Sequence, residues 1–288
     1  MRKTPMIGAL VVSIAMFSVA CTPGGPAAVT WKVEPSTIKV VRQNSFNAGD
    51  RPYVIQIGFR SKLGVANSSS AQIVSQCRSG ALPGADAAPA GTTVAVPAGS
   101  ADVAFPDTQN LDIGDVLLKT APFEIFGALT FVMNRNAVPW ITSCAVTDAL
   151  QSALVPVLAQ SLDLLIAASP VPPTQDELVN LIVSNLGNFL SAVGSLIGAY
   201  IEGFGNPDAI IGVGVQLLLP TAGAFTDLLN AAFSIASIFN PDLTGGFIPV
   251  SGLPSSVKIR VGPLAPSTSV FDFDGTAGHY VYTSNVGT

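Results

Sequence analysis

Apolar and polar residues alternate along the first third of the chain, beginning near Val29. Trp31 and Val33 alternate with Lys32 and Glu34, a period of two that is typical of half-buried β-strands. The same pattern recurs in segments separated by Gly, Pro, Asn, Ser and Asp. These segments cover residues 38–41, 53–59, 71–75, 92–96, 102–105 and 123–133. The region therefore predicts a set of short strands joined by turns.

A helical period replaces this alternation in the middle of the chain. The clearest helix begins at a T-x-x-E capping box made by Thr174 and Glu177, and apolar residues follow at helical spacing to Ile201. The opposite face of this helix carries Asn and Ser and almost no charge. The pattern predicts one long amphipathic helix that packs on other parts of the protein.

The segments on either side of this helix are less regular. Helices are predicted over residues 146–168, with a kink at Pro156, and over 225–239. The segment 210–219 is rich in β-branched residues, but its pattern does not decide between a strand and a helix. Strand signals then return in three segments, at residues 257–261, 270–273 and 279–283.

This order of elements predicts an α+β fold, an antiparallel β-sandwich with an inserted helical subdomain. The sandwich would comprise residues 29–142 and 245–288, and the helical insert residues 143–244, because the termini of one domain often lie close together. The alternative is two independent domains. Three C-terminal strands alone would make a poor core, which favours the single sandwich.

The first residues have the layout of a secretory signal peptide. Arg2 and Lys3 precede an apolar stretch over residues 6–17, which small residues follow. That stretch is shorter than the roughly 20 apolar residues of a transmembrane helix. Residues 1–20 are therefore predicted to be a cleaved leader, and residues 21–28 a short flexible tether.

The end of the leader, Ser18-Val19-Ala20-Cys21, resembles the lipobox of bacterial lipoproteins, in which a cysteine after a small residue receives a diacylglyceryl group. The resemblance covers the leader alone, and the family usually has an aliphatic residue where Ser18 stands. It implies a lipid anchor on Cys21 and a location on the outer face of the cell membrane or in the cell envelope. An ordinary signal peptidase site, and hence plain secretion, is the alternative.

Cysteine usage fits an exported protein. With Cys21 consumed by lipid, Cys77 and Cys144 remain as one even pair, and an oxidising compartment permits a disulfide between them. The alternative is two ordinary buried thiols. The sequence predicts the disulfide.

Charge narrows the choice of partners. The chain has 13 basic and 18 acidic residues, and its net charge of −5 becomes −7 once Arg2 and Lys3 leave with the leader. This acidity argues against nucleic acid as a partner and against electrostatic docking on anionic headgroups. Between Arg135 and Lys258 the sequence has no Lys or Arg, although it has eight acidic residues.

Candidate catalytic and metal-binding residues are few. His279 is the single histidine, which excludes multi-histidine zinc sites, and no G-x-S-x-G or H-E-x-x-H motif accompanies it. Asp272 and Asp274 place two carboxylates on one face of a strand, an arrangement that suits calcium, but the remaining EF-hand ligands are missing. The sequence therefore predicts no catalytic residue, no metal, no cofactor and no enzymatic activity. A secreted hydrolase built on His279 is the least favoured alternative.

The long helix supplies the candidate binding surface. Leu186, Phe189, Val193 and Ile197 are expected to face inward and to form an apolar ligand or partner surface. Residues 178–201 carry no charge and are long enough to span a bilayer, but their polar stripe favours a packed helix. We expect an exported envelope lipoprotein with a non-enzymatic binding or structural role, whose partner is an envelope protein or an apolar lipid. The alternative is a carrier of an apolar envelope lipid, or a membrane-perturbing protein, that acts through the helical insert.

Overall fold

The computed structural model describes residues 27–44, 49–62, 65–75, 82, 87–118, 121–135, 152–157, 174–204, 209–235, 248 and 250–288. The strands in this part of the chain are β1 (Val29–Arg42), β2 (Pro52–Lys62), β3 (Ser70–Ser75), β4 (Thr93–Ala95), β5 (Val103–Thr108), β6 (Glu124–Asn134), β7 (Ala209–Pro220), β8 (Ser255–Gly262), β9 (Ser267–Gly275) and β10 (Gly278–Gly287). The helices are α1 (Ile113–Leu117), α2 (152–157), α3 (Gln175–Phe204) and α4 (Gly223–Ile235).

The strands form two five-stranded sheets. Sheet I has the order β4-β1-β10-β9, and β5 pairs with the first residues of the same strand β1. Sheet II has the order β3-β2-β6-β7-β8. The pairs are antiparallel except for β7 and β8, which run parallel. The prediction of helices together with mainly antiparallel sheets is confirmed.

The central strands of sheet II are buried on both faces. Every residue of β6 is buried, and β7 is buried from Ile211 to Pro220. Alternate side chains of these strands contact sheet I and the helices, so both faces are mainly apolar and the sequence is a nearly continuous hydrophobic run. Such a run has no period of two, and for this reason the sequence alone does not predict whether residues 210–219 form a strand or a helix. The segment 143–244, expected to be a helical insert, thus contains a central strand of sheet II.

Sheet I has one buried and one solvated face. Burial alternates along the whole of β10, whose odd-numbered residues are partly exposed and whose even-numbered residues are buried. Tyr280 and Tyr282 on the buried side share a cluster with Val54 and Val132 of sheet II. This one-sided burial produces the alternating pattern that predicted the strands.

Hydrogen bonds also join the two sheets. The hydroxyl group of Tyr280 donates to Asp50 Oδ2 at 2.7 Å, just before β2 begins. Two residues further along β10, the hydroxyl of Tyr282 donates to Gln56 Oε1 at 3.4 Å. Ser284 Oγ then donates to Gln216 Oε1 on β7 at 2.9 Å. Tyr280, Tyr282 and Ser284 therefore each donate a hydrogen bond to a buried polar side chain on sheet II or just before β2. These bonds satisfy polar groups that have no access to water.

Helix α3 begins at the predicted capping box. The backbone N–H of Thr174 donates to Glu177 Oε2 at 2.8 Å, and the N–H of Glu177 donates back to Thr174 Oγ1 at 3.3 Å. The apolar face of α3 packs with α4 on sheet II, while Ser184 and Ser191 lie on the exposed face. The predicted cap and amphipathic face are confirmed.

The register of sheet I defines two ends of the protein. Lys32, near the start of β1, lies opposite Gly287, so we call this the proximal end. Arg42, at the other end of β1, lies opposite His279, and we call this the distal end. Lys32 and Arg42 are ten residues apart on β1, so the two ends are separated by roughly 33 Å at about 3.3 Å per residue. The whole strand, with its 14 residues, is roughly 40 Å long.

Candidate functional site

A cleft opens at the distal end, where the beginning of β8 approaches the β9–β10 hairpin. Its volume is about 720 Å³. The lining combines charged, hydroxyl and apolar groups from β1, the β8 region and β9, namely Arg42, Gly252, Leu253, Pro254, Ser255, Asp272, Asp274, Gly275 and Thr276. Volumes of about 300–1,000 Å³ are usual for ligand sites, so the cleft is large enough to hold a small molecule.

Strand pairing brings the charged groups of the cleft together. Asp272 and Asp274 are two residues apart on β9, so both side chains point to the solvated face of sheet I. His279 on β10 lies directly opposite Asp274, and Arg42 on β1 lies opposite His279 on its other side. Three neighbouring strands thus place a guanidinium, an imidazole and two carboxylates on one surface.

Direct contacts fix these side chains. His279 Nε2 lies 2.6 Å from Asp272 Oδ1, and His279 Nδ1 lies 4.0 Å from Asp274 Oδ2. Arg42 Nη2 donates to Asp274 Oδ1 at 2.7 Å and to the carbonyl oxygen of Gly275 at 2.6 Å. The guanidinium therefore ties the end of β1 to the tip of the β9–β10 hairpin.

The electrostatics of this group follow from the same contacts. The hydrogen bond from Arg42, assisted by the nearby charge of His279, holds the pKa of Asp274 below its usual range, so this carboxyl is ionised at neutral pH. Two carboxylates then face one permanent cation and one imidazole. The cluster carries a net charge of −1 when His279 is neutral and of zero when it is protonated.

The cleft is open to water. The side chains of Asp272 and Asp274 are each 63% exposed, and that of His279 is 23% exposed. In the part of the chain that the structure describes, His279 is hydrogen-bonded to a carboxylate and to no hydroxyl or thiol group. At this exposure, both carboxylates are accessible to a ligand from solvent.

Metal binding gains no support from the described residues. Among residues 27–288 with the gaps given above, no group of three His, Cys, Asp or Glu side chains is placed to hold a metal ion. Asp272 and Asp274, which suggested calcium from their spacing, instead contact His279 and Arg42. Their outward placement on one strand face is as the sequence indicated.

The predicted apolar surface of α3 lies inside the protein. Leu186, Phe189, Val193 and Ile197 are 0–1% exposed, and the ring of Phe189 lies 5.4 Å from the ring of Phe59 on β2. They face inward as expected, but side chains of sheet II already cover them. A ligand or partner would reach them only if α3 moved away from the sheet.

Helix α3 also has the length and composition of a membrane span. Residues 175–199 have a mean hydropathy of 1.5, and 56% of the most apolar window is buried within the protein. A core helix of a soluble protein has the same properties, so this finding is weak support for a span. On its outer side, α3 and α4 border a smaller groove of about 390 Å³, lined by Val179, Val183 and Leu228 among others.

The three cysteines lie outside the described residues. Cys21, with the leader that precedes it, and both members of the proposed pair, Cys77 and Cys144, have no described position. Lipidation of Cys21 and the Cys77–Cys144 disulfide therefore stay predictions.

Sequence reasoning missed Arg42 as a member of the site. This residue is 232 positions away from Asp274, and no local pattern links the two. The spacing of Asp272 and Asp274 and the single histidine were the available signals, and all three belong to the cluster. No protein-family model, curated protein or solved structure matches the chain.

Proposed function

We propose that this protein is exported, is held on the cell envelope by a lipid on Cys21, and acts by binding another envelope component. The layout of residues 1–20 supports export, and the lipobox resemblance supports the lipid. The tether of residues 21–28 joins Cys21 to the start of β1 at the proximal end.

The observation that carries this proposal is the position of the cleft relative to Val29, the first residue of β1. Val29 begins β1 at the proximal end, whereas Arg42 ends β1 at the cleft, roughly 40 Å away. A protein tethered through Cys21 would therefore present the cleft away from the membrane. That orientation favours binding of a component in the envelope or outside the cell.

We further infer that sheets I and II form a β-sandwich, with α3 and α4 as a third layer on sheet II. The buried clusters with residues from both sheets and the three polar pairs along β10 support this arrangement. Gly212 supports it as well, because a Cβ atom there would lie 2.1 Å from Phe273 Cγ on β9. The two sheets can approach closely at this point because glycine has no Cβ atom.

A binding role is favoured over catalysis and over lipid transport. The carboxylates of the cleft are largely solvated, whereas acid–base groups are usually tuned by burial. The apolar face of α3, which a lipid carrier would need, is covered by sheet II. An envelope protein or glycan is therefore a better candidate partner than an apolar lipid.

The tether is tested by metabolic labelling with a palmitate analogue, combined with cell fractionation. We expect the wild-type protein to incorporate the analogue and to remain with the membrane fraction. Cys21→Ala should remove the label and either release the protein into the medium or leave an unprocessed precursor. Absence of label on the wild-type protein would reject the lipoprotein assignment and leave plain secretion in its place.

A further inference from the structure

We propose that the distal cleft binds a saccharide, that is, a neutral ligand with several adjacent hydroxyl groups. The proposal deepens the binding role given above and rests on it for the envelope as the source of the ligand. The chemistry of the cleft itself does not depend on the tether.

The charge balance of the cleft favours a neutral ligand. Asp274 is paired with Arg42, and Asp272 is in contact with His279, so each carboxylate already has a cationic or polar neighbour. A multiply charged ligand of either sign would meet an unfavourable partner in this cluster. A neutral polar ligand meets no such repulsion.

The mixture of donors and acceptors favours hydroxyl groups. A hydroxyl group both donates and accepts a hydrogen bond, so adjacent hydroxyls are best matched by acceptors and donors that lie side by side. The carboxylates of Asp272 and Asp274 accept, the guanidinium of Arg42 donates, and the hydroxyl of Thr276 does both. Each carboxylate has two oxygens with about four acceptor positions, so its contact with His279 or Arg42 leaves capacity for a ligand.

The cleft also has an apolar part. Leu253 and Pro254 are half-buried beside the charged groups, where the C–H face of a sugar ring can pack. With a volume of about 720 Å³ the cleft has room for more than a single small ion or water molecule. An apolar patch beside alternating donors and acceptors is a poor match for a bare cation and a good match for a pyranose or furanose ring.

The test measures binding by titration calorimetry, with the full-length protein purified in detergent. The ligands form a panel of defined oligosaccharides built from hexoses, pentoses or N-acetylhexosamines. We expect binding of at least one member of the panel. Asp272→Asn should weaken that binding about tenfold or more, because a charge-assisted hydrogen bond is lost. Asp272→Arg should abolish it. Both substitutions fall on a side chain that is 63% exposed, so the fold should tolerate them.

The matched control is Asp107→Asn at the proximal end. Asp107 is also an exposed carboxylate, and its φ of 58° is one that Asn adopts readily. This variant removes the same charge far from the cleft and should leave affinity unchanged.

Failure of every oligosaccharide to bind would overturn the proposal, as would equal affinity in Asp272→Asn and the wild-type protein. Binding of a lysine-rich peptide in place of the oligosaccharides would assign the cleft to cationic partners instead. None of these results affects palmitate labelling of Cys21, so the saccharide proposal and the lipoprotein proposal can be rejected independently of each other.

Discussion

The hydrogen bonds that link the two sheets provide a comparison between two tyrosines on one strand. Tyr280 and Tyr282 are both fully buried on the same side of β10. The hydroxyl of Tyr280 donates to the carboxylate of Asp50 at 2.7 Å, whereas that of Tyr282 donates to the amide oxygen of Gln56 at 3.4 Å. The first is a short bond to an acidic group, and the second is a long bond to a neutral group.

Tyr→Phe substitution at each position removes only the hydroxyl. A hydrogen bond to a charged group contributes about 1.5–3 kcal/mol, and a neutral one about 0.5–1.5 kcal/mol. Asp50 keeps the donors Asn44 N and Asn134 Nδ2, so it is not left unsatisfied when Tyr280 changes. We therefore expect Tyr280→Phe to lower the free energy of unfolding by about 2 kcal/mol and Tyr282→Phe by about 0.5–1 kcal/mol.

Equilibrium urea denaturation followed by circular dichroism measures both values. A loss of about 2 kcal/mol shifts the midpoint by roughly 1 M urea at an ordinary slope, and the slope itself should stay constant. The reasoning is wrong if Tyr282→Phe costs as much as Tyr280→Phe. A large loss from both substitutions with a changed slope would show that the strand itself had been disturbed.

The same two tyrosines predict a loss of stability in alkali. Burial, reinforced by the hydrogen bond to Asp50, raises the pKa of Tyr280, and burial also raises the pKa of Tyr282. In the unfolded chain both phenols ionise near pH 10, so above this pH the unfolded state binds fewer protons than the folded state. The stability that these two tyrosines contribute should therefore be fully present below pH 10 and be lost as the pH rises above it. The double Tyr→Phe variant should show a shallower decline in alkaline denaturation.

Three further predictions concern the helix cap, the contact between the sheets and the exposed face of α3. Thr174→Ala should lower the free energy of unfolding by about 1 kcal/mol, since it removes the N-cap oxygen of α3; a loss near zero in urea denaturation would contradict the cap. Gly212→Ala should lower the free energy of unfolding by about 1–3 kcal/mol, because the added Cβ overlaps a buried ring. Gly287→Ala is the control: a Cβ there has no atom within 4 Å, so this substitution should change the free energy of unfolding by less than about 0.5 kcal/mol. The double variant Ser184→Lys, Ser191→Lys should change the free energy of unfolding by no more than about 0.5 kcal/mol, because both side chains are exposed. Any association of α3 with liposomes should weaken in this variant. Unchanged liposome binding would show that this face has a structural role only.

Local patterns predicted the parts of the fold that depend on local physics. The alternation around Trp31 and Val33 predicted β1, because one face of sheet I is solvated. The T-x-x-E motif predicted the start of α3, because a cap involves residues only three apart. Both features could be predicted because the interactions that cause them are close in sequence.

Features that depend on distant partners could not be predicted in the same way. Strand β7 has no alternation, since the helices and sheet I bury both of its faces. The pairing of Tyr280 with Asp50 joins residues 230 positions apart, and the bond between Arg42 and Asp274 joins residues 232 positions apart. The inward face of α3 was predicted correctly, but periodicity alone does not show whether protein or ligand covers such a face.

The three polar pairs along β10 also have a structural consequence. A shift of β10 by one residue would turn Tyr280, Tyr282 and Ser284 to the solvated face and leave their partners on sheet II buried without them. Buried polar groups at alternate positions thus disfavour the shifted register more strongly than an apolar face would. We expect these pairs to specify how the two sheets align.

The central claim, that a tethered protein presents its cleft away from the membrane, is tested most directly by energy transfer in proteoliposomes. A donor dye is placed at Thr276→Cys in the distal hairpin or at Ala104→Cys on β5 beside Lys32, with an acceptor lipid in the bilayer. The protein without an introduced cysteine provides the background from native thiols. The account predicts strong transfer from position 104 and weak transfer from position 276. Position 104 lies opposite Lys32, and position 276 lies at the distal end beside Arg42, roughly 33 Å from Lys32 along the direction of β1. Equal transfer from both positions, or stronger transfer from position 276, would contradict it.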